Sequence, residues 1–559
     1  MKLHTRWITH YEKSGCLRSP RYAETLAYFK QFEKYTPYAK MFSIGRSPQG
    51  RSIECIVISK DKEFTPAKAQ KSGKAVIVIQ NGIHSGEIEG KDACMILLRE
   101  ILITKEKFHL LDNLILVIIP VLNVDGHERI SRFNRPNQNG PLEMGWRTTS
   151  WNLNLNRDYM KGDTPEIAAV LTLFNSWCPD FFIDNHTTNG ADYQYHLTYT
   201  LEKFANIDRS LAKWGKDHFL PAILKKVEAK GFLTGLYVLL KKDELIEGGI
   251  INTPSEPRLS TGYAALQNRH GLLVETHSLK PFENRVRSTL EMNYAALQYL
   301  NDHFRQLLKL NRRADSVTKN LRSLPINFEL SGSSKPLQFK GFETVYKKSP
   351  ITGNEVVYYS DRPIEFTIPL FDDVKVVTAV RLPKAYFIPK EFDEIVRRME
   401  LHGIKVERLA KEKSITVTEL SFNEYTFSLK PYEGRQCVKV KCKSRKVRVN
   451  FPEGTYHVRL NQRVNRVIVN LLEPEAPDSF VSWGFFNAFF ERKEYAEAYV
   501  MEPFAQQMMA NDVQLKKQFN ALMEEQTFRN DPHARLEFFY QRSPFFDQKE
   551  MKYPIYRLE

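Results

Sequence analysis

Residues Asn81 to Gly90 read NGIHSGEIEG. They follow the apolar run Ala75–Ile79 (AVIVI) and precede the helix-like KDACMILLREIL. A buried strand that opens into a short loop and then a helix is the repeating unit of an α/β sheet. In this loop His84 and Glu87 stand three apart, so an imidazole and a carboxylate share one turn at the mouth of the strand. Two such groups can grip one divalent ion. Catalytic zinc takes three protein ligands and keeps one position open for water, and two histidines with one glutamate form a known set. A third ligand is therefore owed from elsewhere in the chain.

Working outward, the α/β pattern continues. A hairpin is expected around SPQGR, within MFSIGRSPQGRSIECIVIS, and an amphipathic helix over residues 20–34, with Ser19 as N-cap and Pro20 at the first helical position. Strands are expected at 74–80, 114–122, 181–185 and 271–275, and helices at about 88–103, 165–178, 202–230 and 282–310. The fold class is α/β: a mixed, mostly parallel twisted sheet with helices on both faces. After Leu310 the texture changes to alternating Val, Ile, Phe, Tyr and Lys, interrupted by one helix around Phe392, Ile395, Val396 and Met399 that Gly403 closes. From about 480 the chain reads as helical, ending in an aromatic tail (Phe538, Phe539, Tyr540, Phe545, Phe546) expected to dock against the chain itself. The expected division is 1–312, the α/β domain with its N-terminal helix; 313–478, a β-rich accessory region; and 479–559, a helical C-terminal segment.

Composition narrows the function. With 42% apolar and 26% charged residues the 559-residue chain fits a soluble globular protein of two or three domains. Leu114 to Leu122, the longest apolar run, is broken by Pro120 and too short to span a bilayer. The net charge of +15 draws anions, yet no nucleic-acid-binding signature occurs, and the basic run KVKCKSRKVR (Lys439 to Arg448) reads as the wet face of a strand. Six scattered cysteines without a CxxC pair indicate neither a structural zinc site nor a disulfide scaffold. MKLHTRWITHYEKSG has no apolar signal-peptide core, so the expectation is a cytoplasmic chain, or a secreted or periplasmic one if a leader has been removed.

The chemistry-bearing residues fall just past strand ends. His186 follows FFIDN (181–185), and Glu275 ends GLLVE. Ligands in open α/β sheets bind outside the carboxyl ends of strands, which makes His186 the natural third ligand and puts Glu275 where a base for water is needed. The loop WRTTSWNLNLNRDY supplies Arg147, Asn154, Asn156 and Arg157, cations and amides suited to a carboxylate or a developing oxyanion. His127 and His277 suit outer-shell or surface positions.

On GRSPQGRSI, NGIHSGEIEG, NVDGHER, NRPNQNGP with GWR, NLNRD, FIDNHTT and LLVETHSLK, in that order over about residues 40–285, the chain resembles the M14 zinc carboxypeptidases, in their larger bacterial form. That resemblance implies one zinc per chain on His84, Glu87 and His186, with Glu275 as general acid/base. It implies Arg147 at the scissile carbonyl and Asn156 and Arg157 on the terminal carboxylate. A mobile substrate tyrosine is also implied; Tyr263, in STGYAALQNRHG, is the candidate, open between that role and core packing. Asn123-Val124-Asp125-Gly126 stands where the family has Asn-Pro-Asp-Gly, which costs a rigid turn and no catalytic group. The implied activity is metal-assisted hydrolysis of the last peptide bond of a peptide with a free C-terminal carboxylate, with no nucleic-acid partner. Two alternatives are a zinc amidohydrolase on the same scaffold acting on peptidoglycan stem peptides or N-acyl amino acids, and a non-catalytic zinc-containing binding protein.

Overall fold

The structure is a computed structural model that describes residues 5–188, 190–242 and 245–559. Its centre is an eight-stranded sheet built from β1 (Ala39–Arg46), β2 (Ser52–Ile58), β3 (Ala75–Asn81), β4 (Leu114–Ile119), β5 (Phe181–Thr188), β6 (Leu197–Thr200), β7 (Thr234–Leu236) and, after the two-residue strands β8 (Leu239–Leu240) and β9 (Ile250–Ile251), β10 (His270–His277). The order across the sheet is β1-β2-β4-β3-β5-β10-β6-β7. The pairings from β4 through β3 and β5 to β10 are parallel, whereas β1–β2, β2–β4 and β10–β6 are antiparallel.

Every residue of β3 and β4 is buried. Val76 and Val78 pack into one core with Ile115, Val117 and Ile119. Ala75, Ile77 and Ile79 pack into another with Leu114, Leu116 and Ile118. Successive side chains of a strand point to opposite faces, so these two cores are the two faces of the sheet. A strand covered on both sides reads as continuous apolar sequence. One face is covered by the helices Tyr22–Tyr35, Glu89–Leu102 and Phe282–Asp302, the other by Pro165–Trp177 and Ser260–Leu266. The mixed α/β architecture is thus the expected one.

Helix starts depart from expectation where side chains find stronger partners. The first long helix begins at Tyr22, not Pro20, because the Ser19 hydroxyl is bound to the Asp92 carboxylate; Glu24 instead closes the turn by accepting the Arg21 amide at 2.9 Å. Residues 202–208 precede their helix rather than belong to it: Asp208 caps Ser210 and Leu211, and helix runs from Arg209 through a π-turn at Gly215–Phe219 to Glu228. Elsewhere the local rules hold. Thr164 accepts the Ile167 amide with Pro165 in the first turn, and Gly403, at φ +77°, follows the helix Asp393–Leu401.

Beyond the helix Phe304–Lys319 the chain builds β-structure. Long hairpins pair Lys335–Lys348 with Glu355–Phe371 and Lys413–Phe427 with Val438–Phe451. Residues 498–540 form short helices around Met501, Ala505, Leu515, Phe538 and Phe539. The chain then returns as the strand Tyr556–Leu558, which enters the six-stranded sheet beside Ala385–Ile388. Among the described residues all six cysteines are free, and no helix is long and apolar enough to cross a membrane.

Candidate active site

Register brings the strand ends together. Asn81 at the end of β3 pairs with Asn185 of β5, and His186 of β5 pairs with Glu275 of β10. His84 and Glu87 extend from the same end of β3, where the Glu87 amide donates to the His84 carbonyl at 2.9 Å and closes one turn. The glycines of this loop are required by close approach. A Cβ on Gly86 would come 2.7 Å from Arg135 Cγ and 3.0 Å from the Gly145 carbonyl, and one on Gly90 would overlap Asn81 and Asn185.

His84 Nδ1 lies 3.2 Å and His186 Nδ1 3.0 Å from the same oxygen, Glu87 Oε2. The outer nitrogens are held by other partners: His84 Nε2 by Asn154 Oδ1 at 2.9 Å, His186 Nε2 by Asp184 Oδ2 at 2.8 Å. A ring nitrogen committed to donating outward leaves the other free to ligate. One donor atom from each of His84, Glu87 and His186 lies within 4.8 Å of the others, and all three residues are buried. Two inward-facing imidazole nitrogens with one carboxylate suit a tetrahedral zinc site with an open position, so the residues present fit the metal. Burial lowers the His84 pKa to about 4, against the pull of Glu87, which keeps this imidazole neutral and ready to ligate. His186 is pushed the other way: burial would lower it, but the Asp184 charge and hydrogen bond hold it well above the usual value. The remaining Glu87 oxygen, Oε1, takes Arg135 Nη2 and Arg147 Nη1, each at 3.0 Å.

Glu275 is 7% exposed, and its Oε2 has no hydrogen-bond partner among the described residues. Burial pushes its pKa up to about 8; His186 and Arg147 pull it down, while Glu87 and Asp184 add to the rise. A buried carboxylate with an unsatisfied oxygen and a pKa near neutrality is a functional-site signature.

Arg147, Asn156 and Arg157 face the same cavity of about 410 Å³ as His84, Glu87, His186 and Glu275. The tight turn Asn154–Arg157 presents the last two. Asn154 Oδ1 accepts the Asn156 amide at 3.0 Å, and Asn156 Oδ1 accepts the Ser260 amide at 2.9 Å. Of the residues anticipated from the sequence, Tyr263 alone lies elsewhere. It is fully buried on the helix Ser260–Leu266, where its hydroxyl accepts from Gln267 Nε2 at 2.7 Å and meets His402 Nδ1 at 3.0 Å. Ser260 and Thr261 at the start of that helix line the cavity, whereas Tyr263, one turn further in, packs against Tyr159 and Phe174 in the core.

Among the cavity residues that sequence reasoning missed, Tyr237 and Arg135 stand out for their chemistry. Tyr237, just after β7, lines the wall; the Glu275 charge and burial raise its phenol pKa. Arg135 lies in NRPNQNGP and braces Glu87. The motif was visible for Arg135, whereas nothing local marks Tyr237. His127 is buried against Lys91 and Glu128, and His277 stacks on Tyr193 and bonds Asp192, so neither joins the cluster. Larger hollows, about 780 Å³ among the C-terminal helices and about 820 Å³ beside Arg381 and Lys446, carry no comparable set of donors among the described residues.

The family model described as zinc carboxypeptidase matches residues 25–213. That span holds His84, Glu87, Arg147, Asn156, Arg157 and His186 and stops short of Glu275. Carboxypeptidase 2 of Trichophyton tonsurans is 24% identical over 456 residues, which cover 78% of this chain and 79% of that protein. Carboxypeptidase 2 of Trichophyton rubrum is 24% identical over 454 residues, with the same coverage. Among solved structures, a metallo-carboxypeptidase from Burkholderia cenocepacia aligns at 18% identity and a TM-score of 0.38, covering 51% of this chain and 70% of that chain.

Proposed function

We propose that the chain is a zinc carboxypeptidase that hydrolyses the C-terminal peptide bond of peptides bearing a free carboxylate, a reading supported by the family match and the carboxypeptidase relatives. One observation carries the reading: two histidines and a glutamate converge beside the unpartnered oxygen of a buried Glu275, in one cavity with Arg147, Asn156 and Arg157. His84, Glu87 and His186 would hold the metal. When bound there, a zinc ion supplies Lewis acidity toward the scissile carbonyl and makes water easier to deprotonate.

The chain's own residues do the rest. Glu275 takes a proton from water as the water oxygen bonds to the carbonyl carbon, then passes it to the departing amine nitrogen as the C–N bond breaks. A cation held at the site would lower the raised Glu275 pKa and favour its ionised form. Arg147 donates hydrogen bonds to the carbonyl oxygen as negative charge develops there. Arg157 and Asn156 hold the terminal carboxylate, which selects the last peptide bond over internal ones. Tyr237, rather than Tyr263, is the tyrosine placed to contact substrate.

The test is a small panel of N-blocked dipeptides, each as the free acid and as the C-terminal amide, with and without a chelator. Release of the last amino acid from the acids alone, stopped by the chelator and restored by zinc, is expected. Equal cleavage of acids and amides would refute the exopeptidase reading.

A further inference from the structure

The loop joining Lys413–Phe427 to Val438–Phe451 belongs to the C-terminal β-rich region, yet its tip bonds Arg157 and Asn154 at the border of the catalytic cleft. Tyr432 and Arg435 exchange backbone hydrogen bonds of 2.9 and 3.0 Å around Glu433 and Gly434. The two central residues have φ of +48° and +74°, the left-handed pair of a tight type I′ turn. Glycine adopts such a φ freely, and a glutamate does so at a cost. Strain of this kind persists where the surroundings over-determine a position, and it clusters at functional sites.

All three side chains of the tip are engaged with the catalytic part of the chain. The Tyr432 hydroxyl accepts from Arg157 Nε at 3.0 Å. Glu433 Oε2 accepts the Asn154 backbone amide at 2.8 Å. Arg435 forks onto Asp163, with contacts of 2.7 and 2.6 Å. Trp483 stacks parallel to the Tyr432 ring at 5.9 Å and backs it. Asn154 is also the residue whose Oδ1 holds His84 Nε2 and the Asn156 amide. The tip therefore touches both the arginine read as the carboxylate clamp and the turn that steadies a metal-ligand candidate. A guanidinium has five N–H donors. Tyr432 takes one and the Asn156 carbonyl, 2.6 Å from Nη1, takes another, which fixes the plane of the fork and leaves three donors for a ligand.

We propose that the 432–435 tip is a built-in brace behind the terminal-carboxylate subsite, in which Tyr432 and Glu433 are positioning residues for Arg157 and for the Asn154–Arg157 turn. The inference rests on Arg157 as the carboxylate clamp. It gives the β-rich region a part in substrate binding that acts through Arg157: the α/β domain supplies the clamp, and the accessory region aims it.

The experiment compares Tyr432→Phe, Glu433→Gly and Arg157→Ala in the full chain on one N-blocked dipeptide and its C-terminal amide. It also measures binding of the matching N-acyl amino acid to metal-free protein. Tyr432→Phe should lower kcat/KM on the acid about 3–10-fold, the net worth of one such hydrogen bond, almost wholly through KM, with the amide unaffected. Affinity for the N-acyl amino acid should fall by the same factor, and metal content should not change. Glu433→Gly relieves the left-handed backbone, so it should raise KM on the acid without lowering the thermal midpoint, a split that a merely structural role would not give. If Arg157→Ala separates acid from amide and Tyr432→Phe does not, the tip is scaffolding and the proposal falls alone. If Arg157→Ala itself fails to separate them, the clamp reading falls and takes the tip's role with it.

Discussion

The strand ends proposed to carry the chemistry and the loops proposed to face the substrate are held in different ways. His186 and Glu275 project from β5 and β10, and His84 and Glu87 from the short loop that closes β3; these strands are parallel, in register and buried. Arg157, Tyr237 and the stretch 252–259 lie on loops, and much of their support comes from far along the chain. Tyr432 bonds Arg157, Asp478 takes Arg258 at 3.1 Å, and the Phe371 carbonyl accepts the Asn252 amide at 2.9 Å. Packed strands can hold such groups in the closely defined geometry that catalysis needs. The loop half can vary its substrate without disturbing them.

The largest effects should come from the strand-end half. His186→Ala should lose the metal and with it turnover, read by metal analysis of the purified variant. Asp184→Asn, which alters the outer partner of His186 and keeps a side chain of the same size beside Gln80 and Ser260, should weaken metal affinity about 10–100-fold; full affinity in that variant would mean the ring needs no such support.

Next comes the clamp. Arg157→Ala removes a charge-assisted bond worth on the order of 1.5–3 kcal/mol, so kcat/KM on free-acid substrates should drop by about one to two decades while C-terminal amides change little. The paired tyrosines sharpen the contrast further. Tyr237→Phe should change KM by a few-fold, whereas Tyr263→Phe should leave kinetics alone and destabilise the fold by about 1–3 kcal/mol, because Gln267 and His402 lose a buried partner. Denaturant midpoints alongside KM values distinguish the two outcomes.

The smallest effect concerns the anchor of the hairpin tip. Burial would raise the Asp163 pKa, but Arg435, Lys161 and Arg398 hold it down to about 2. A carboxyl depressed in the folded state stabilises at pH above its unfolded value, near 4, and loses that contribution as pH falls through the folded value. The anchor should therefore contribute up to about 2 kcal/mol at neutral pH, lost between about pH 4 and 2. Urea midpoints of Asp163→Asn that keep the wild-type acid dependence would show that Asp163 is not the group responsible.

The same division explains what the sequence made legible. His84, Glu87, His186 and Glu275 could be found because each sits beside a continuous apolar run, and such runs report strands buried on both faces. Arg147, Asn156 and Arg157 came with a recognisable loop. Tyr237 could not be found, since no pattern ties the segment after β7 to Glu275; Tyr263 was nearer to Glu275 in sequence but lies on the core side of its helix. Tyr432 and Glu433 meet Arg157 and Asn154 across more than 270 residues, a contact made by the packing of two regions and by no local pattern. The return of Tyr556–Leu558 to a sheet begun near residue 385 was invisible for the same reason.

The central claim is that Glu275 performs the proton transfer in a metal site it does not itself build. Metal content and kcat measured together in Glu275→Gln address it directly. The variant keeps shape and reach but cannot accept a proton, so the expected result is one zinc per chain, a native fold and kcat reduced about 10²–10⁴-fold, the usual worth of a general base. Retention of more than about a tenth of wild-type kcat, a barrier change under about 1.4 kcal/mol, would contradict the account.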